Sequence, residues 1–125
     1  MANELILIVE DNEKNLKLAR DVLRFHGYRI IEAPDGETGV RLAVEQLPRL
    51  ILMDIQMPGI DGIEALRQIR ADARTKDIRT VALTASVMSG DRERFDAAGF
   101  DGFMAKPIDV KAFPDQVRAH LDATR

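Results

Sequence analysis

A chain of 125 residues with 46% apolar and 31% charged side chains and a formal charge of -3 has the composition of one globular domain, large enough to bury about two-thirds of the surface its unfolded form exposes. The absence of cysteine excludes disulfides, thiolate metal sites and a cysteine nucleophile, and Lys and Arg scattered along an acidic chain leave no electrostatic footprint for nucleic acid. The apolar run Leu5 to Val9 is too short to span a bilayer and follows Glu4 rather than a basic segment, so a cytoplasmic protein with no membrane contact is expected.

The apolar pattern alternates between short continuous runs and helical spacing, five times over. Leu5 to Val9 reads as a strand, followed by a helix with Leu16, Ala19, Val22 and Leu23 on one face and His26 and Gly27 as its stop. Arg29 to Ala33 is a second strand, and Val40, Ala43, Val44 and Leu47 line a second helix that ends before Pro48. Leu50 to Met53 is the third strand, with Ile63, Leu66 and Ile69 marking the helix after it. A fourth strand is expected near Thr80 to Leu83, a short helix over roughly Asp91 to Ala98, and a fifth strand over residues 101 to 105. Val110, Phe113, Val117 and Leu121 line the last helix, whose first turn Pro114 should distort or delay. Alternation of this kind predicts a single α/β domain over residues 1–125, an open doubly wound sheet of five parallel strands covered on both faces, with no effector domain.

Ligands of such sheets bind outside the carboxyl ends of the strands. The first strand delivers Glu10, Asp11 and Asn12, the third ends in "LILMDIQMPGIDG" at Asp54, the fourth delivers Thr84, Ala85 and Ser86, and the fifth Lys106 and Pro107. If the first and third strands are neighbours, three carboxylates converge, and each pair at about 4 Å repels by roughly 4 kcal/mol at an effective dielectric near 20. A hard divalent cation such as Mg²⁺ relieves that repulsion with oxygen ligands and keeps room for a phosphate oxygen. The Thr84 hydroxyl, the amide after it and the Lys106 ammonium stand opposite as donors for a phosphoryl group, and a carboxylate can serve as nucleophile in its transfer.

The segments "ILIVEDN", "LILMDIQMPGIDG", "VALTAS" and "FMAKPI", in this order and over essentially the whole chain, resemble the receiver domain of two-component response regulators. The wording of "VEDNEKN", "MDIQMPGIDG" and "TASVMSGDRER" is similar to stand-alone receivers of the DivK type and to receivers attached to hybrid kinases. The resemblance implies strand order 2-1-3-4-5 and a phosphoacceptor at Asp54, served by a histidine kinase or histidine phosphotransfer protein. It implies Mg²⁺ on Glu10, Asp11, Asp54 and the backbone carbonyl of Gln56, and a phosphoryl group held by Thr84, the Ala85 amide and Lys106. It further implies a cis peptide before Pro107, a switch through Thr84 and Phe103, and a protein partner met on the face of the fourth helix, fifth strand and fifth helix. Such a protein is no enzyme toward outside substrates, although it catalyses its own phosphorylation and dephosphorylation.

Other readings of the same residues carry less. Asp11 or Asn12 serves as a helix N-cap in any protein, Met53, Met57 and Met104 fill gaps, and His26 and His120 are expected at the surface near helix ends. A haloacid dehalogenase-type phosphatase needs a second acid two residues after its nucleophile, where this chain has Gln56. A flavin phosphate at the first loop would face the acids of "EDN". The remaining rival is a receiver-like scaffold that binds partners without phosphate.

Overall fold

The uninterrupted aliphatic runs pair as parallel strands. The computed structural model describes residues 3–85 and 89–123, with only the backbone described at 89–92. Strands β1 (Leu5–Val9), β2 (Arg29–Ala33), β3 (Leu50–Asp54), β4 (Arg79–Thr84) and β5 (Gly102–Ala105) form one sheet in the order β2-β1-β3-β4-β5. Between and after them run α1 (Glu13–Phe25), α2 (Gly36–Gln46), α3 (Gly62–Ala71), α4 (Ser89–Ala98) and α5 (Phe113–Asp122).

Successive strand residues point to opposite faces, and the core divides accordingly. Ile6, Ile8, Leu50, Leu52, Val81 and Leu83 pack on Ala19 and Leu23 of α1 and on Phe113 and Val117 of α5. Leu7, Val9, Ile51, Met53 and Ala82 face Ala43 of α2, Leu66 and Ile69 of α3 and Phe95 of α4. Burial on both faces explains why β1 and β3 read as continuous apolar runs rather than alternating ones. The loops leaving the carboxyl edge end on side-chain caps: Asn12, Asp35 and Asp61 accept from the amides of Asn15, Thr38 and Glu64, which fixes where α1, α2 and α3 begin.

Three helix assignments change. Leu47 is not on the buried face of α2 but caps it in the left-handed region at φ 49 and is 53% exposed, because the helix cannot continue into Pro48, which lacks an N–H. The fifth helix starts at Phe113, with Pro114 in its first turn, so Val110 lies outside it and is 51% exposed. That is the delay expected of the proline, which is tolerated where a first-turn N–H would have no partner. His120 is half-buried rather than a surface residue: a Cβ on Gly102 would lie 2.7 Å from its Cε1, so the imidazole sits directly over the β5 backbone. Burial, and then the charge of Arg79, push that imidazole below its ordinary range.

At the amino edge of the sheet one guanidinium gathers several elements. Arg70, at the end of α3, donates to the carbonyls of Lys76 and Ile78 at 3.0 and 2.6 Å and to that of Gly99 at 3.2 Å, and pairs with Asp101 at 2.9 Å. Asp101 also accepts from the Thr80 amide at 2.8 Å. Arg70→Ala removes the guanidinium paired with the mostly buried Asp101 carboxylate and one donor from each of three carbonyls, and should cost about 2–4 kcal/mol. The exposed pair of Arg67 with Glu64 supplies the control, since solvent screens it and Arg67→Ala should cost far less; urea unfolding of both variants measures the difference.

Candidate functional site

The strand ladder carries one residue past β1. The Glu10 amide donates to Ala33 at 3.0 Å, holding Glu10 in line with the strand and only 2% exposed, while Asp11 turns out to solvent. On β3 the aspartate is the last strand residue rather than the one after it: Asp54 pairs with Leu83 of β4 and is 4% exposed. At the next strand end the Lys106 amide donates to the Thr84 carbonyl at 2.8 Å. The Lys106–Pro107 peptide is cis.

These positions put the Lys106 ammonium between two buried acids, 2.9 Å from Glu10 Oε1 and 3.1 Å from Asp54 Oδ1. The second Glu10 oxygen accepts from the Asn12 amide at 3.3 Å. Burial first, and the neighbouring Glu10 second, push the Asp54 carboxyl above its ordinary range, with Lys106 opposing both. Burial pulls the Lys106 ammonium down, but the Glu10 and Asp54 carboxylates outweigh it and hold it above its ordinary range.

A cleft of about 250 Å³ opens here, and it brings together Glu10, Asp11, Asp54, Gln56, Thr84, Ala85 and Lys106. It also includes Asn15, which no strand end delivers; its signal in the sequence is its place in the first turn of a helix that starts at the cleft. Phe103 and Pro107 lie outside the lining, Phe103 half-buried against the core on the α4 side. Ser86 lies outside the described residues. A cleft of about 370 Å³ at the opposite edge, beside Arg49, Arg74 and Arg79, is larger, but the acids and Lys106 converge only in the smaller one.

Carboxylate oxygens of Glu10, Asp11 and Asp54 all lie within 4.8 Å of one another. Among the described residues the cation paired with these acids is Lys106, bound to Glu10 and Asp54, and Asp11 is exposed, so a hard divalent cation with oxygen ligands and waters fits the donor set. Thr84, itself buried, and Ala85 line the same cleft and bring a hydroxyl and an amide to it.

The family model for the response regulator receiver domain matches residues 6–118. The polar-differentiation response regulator DivK of Brucella anthropi is 40% identical over 116 residues, 93% of this chain and 94% of that protein. Among solved structures, the receiver domain of a sensor histidine kinase from Pseudomonas aeruginosa PAO1, with a magnesium ion coordinated in its active site cleft, is 36% identical, with a TM-score of 0.88 over 97% of this chain and 99% of its own. The chemotaxis protein CheY4 of Vibrio cholerae, at 21% identity and a TM-score of 0.88 over 94% of this chain and 98% of its own, shares the fold.

A raised Asp54 carboxyl means that its ionised form is less favourable in the folded chain than in the unfolded one. The penalty is absent below the ordinary aspartate range and develops as pH rises through the folded value. Asp54→Asn should therefore stabilise the cation-free protein at pH 7. The gain should vanish below about pH 4 and shrink when Mg²⁺ is added, as read by urea unfolding at each pH.

Proposed function

The chain belongs to the response regulator receiver domain family, and from that premise we propose that Asp54 accepts a phosphoryl group from a phosphohistidine of a histidine kinase or histidine phosphotransfer protein. The observation that carries this reading is the Lys106 ammonium held 3.1 Å from a buried Asp54 at the floor of the acidic cleft. A carboxylate that ends a strand, faces an open cleft and shares an ammonium with a second buried acid is placed to act as a nucleophile.

An Asp54 oxygen attacks phosphorus in line with the departing imidazole; the O–P bond forms, the P–N bond breaks, and the imidazole nitrogen keeps the electron pair. Lys106 turns from carboxylate to phosphoryl oxygen, and the Thr84 hydroxyl and Ala85 amide donate to the remaining oxygens. Glu10, Asp11, Asp54 and the Gln56 carbonyl would hold Mg²⁺, which neutralises the charge shared by acids and phosphoryl group. Hydrolysis reverses the state when water attacks phosphorus and Asp54 leaves as carboxylate. The chain thus catalyses steps on its own side chain and turns over no separate substrate.

Output passes to a protein partner. When the Thr84 hydroxyl moves to the phosphoryl group it vacates space beneath β4, and Phe103, half-buried on the next strand, turns inward. Fully burying a phenyl ring is favourable by roughly 1.5–3 kcal/mol, so the two states lie close in energy and phosphorylation shifts a population on the face formed by α4, β5 and α5.

Acetyl phosphate with Mg²⁺ should add one phosphoryl group, and Asp54→Asn should abolish the addition by intact mass; undiminished labelling of the variant would sink the assignment. In a Mg²⁺ titration Asp11→Ala should weaken binding more than Glu10→Ala, because both Glu10 oxygens are engaged by Lys106 and the Asn12 amide.

Beryllofluoride, a phosphoryl mimic, should shift NMR signals around Asp54 and across α4, β5 and α5. Thr84→Ala should confine the shifts to the cleft, and equal spread in both proteins would remove Thr84 from the switch.

A further inference from the structure

The first residue of α3 lies against the peptide that leaves Asp54. Its amide donates to the Ile55 carbonyl at 2.9 Å, so the start of the helix is tied to the residue after the phosphoacceptor. A Cβ built on Gly62 would land on the Asp54 carbonyl oxygen, far inside contact distance, and would lie 2.9 Å from Ile55 Cα and 3.1 Å from the Asp54 carbonyl carbon. All three are backbone atoms, which cannot swing aside as a side-chain tip can. Dihedral freedom is not the reason for glycine here, since the positive-φ glycines are Gly27, Gly59 and Gly99; the requirement is close approach.

We propose that Gly62 is a positioning residue for phosphoryl transfer: its missing side chain lets α3 seat directly on the Asp54–Ile55 peptide and so sets the direction of the Asp54 carboxylate and the height of the Gln56 carbonyl. The proposal rests on Asp54 being the phosphoacceptor. Any side chain at 62 drives the helix and that peptide apart by the better part of an ångström. Asp54 is held from its other flank by the β4 pairing, so the peptide yields by tilting, and the tilt carries the carboxylate with it. Gly36 offers a contrast: a Cβ there would lie 2.7 Å from Ile60 Cγ1 and 3.1 Å from its Cδ1, which a rotamer change can clear, and 3.1 Å from the Ile60 carbonyl oxygen, which needs a shift of only a few tenths of an ångström.

The test is the rate of Asp54 phosphorylation by acetyl phosphate at saturating Mg²⁺ in the full chain, with urea unfolding in parallel. Gly62→Ala should lose about 10- to 100-fold in rate, the scale of a sub-ångström to ångström misplacement of a reacting group, while Gly36→Ala keeps its rate even where it loses stability. A Gly62→Ala chain that labels at the original rate, or two variants that lose rate in step with stability, overturns the positioning role alone. An unsubstituted chain that takes no label on Asp54 overturns the phosphoacceptor reading itself, and the proposal with it. If Gly62→Ala does not fold, hydrogen exchange on the unsubstituted chain decides. Mg²⁺ should slow exchange of the Gly62 amide, bonded to Ile55, and leave that of the Gly39 amide, bonded to Asp35 at 3.0 Å, unchanged; equal slowing or none overturns the proposal.

Discussion

The ammonium of Lys106 between Glu10 and Asp54 is the interaction on which the carboxyl edge of this sheet depends. Two carboxylates buried side by side are tolerable only with a cation between them, and Lys106 reaches both from a single strand end. A lysine suits the place because its charge sits at the end of a flexible stem. In the proposed reaction it would leave the acids to a divalent cation and follow the phosphoryl group on Asp54, where a guanidinium locked in a bidentate pair would resist. The resting ion pair and the proposed reaction are thus two uses of the same side chain.

Parallel pairing makes that convergence possible. Every strand presents its carboxyl end to the same edge, so the site is assembled from whichever residue each strand stops on. The amino edge carries the opposite arrangement, in which Arg70 binds the end of α3, the start of β4 and the turn before β5 into one network. The α4–β5 unit is pinned below by that network and meets the cleft above through Lys106, which follows β5.

Much of the fold was legible because period and residue type are local. Runs such as Leu5 to Val9 and Leu50 to Met53 identify strands with two covered faces, and the stops at Gly27 and Pro48 close the helices they follow. The errors also have local causes. Leu47 and Val110 fit a helical apolar stripe, yet Pro48 and Pro114 end or delay the helices that would have buried them. His120 looks like a surface residue at a helix end, and only the bare backbone of Gly102 beneath it reveals a half-buried ring.

By itself the sequence determined which groups could take part: acids after the first and third strands, a hydroxyl after the fourth and a lysine after the fifth, all consequences of where apolar runs stop. Only the tertiary structure decided how they divide the work. Glu10 and Asp11 are neighbours in the chain, but the β1–β2 ladder extends through Glu10 and buries it against Lys106, while Asp11 falls beyond the last rung and faces solvent. Which of two adjacent acids is paired and which is left open depends on the register of strands more than twenty residues apart, and no local pattern encodes that distance.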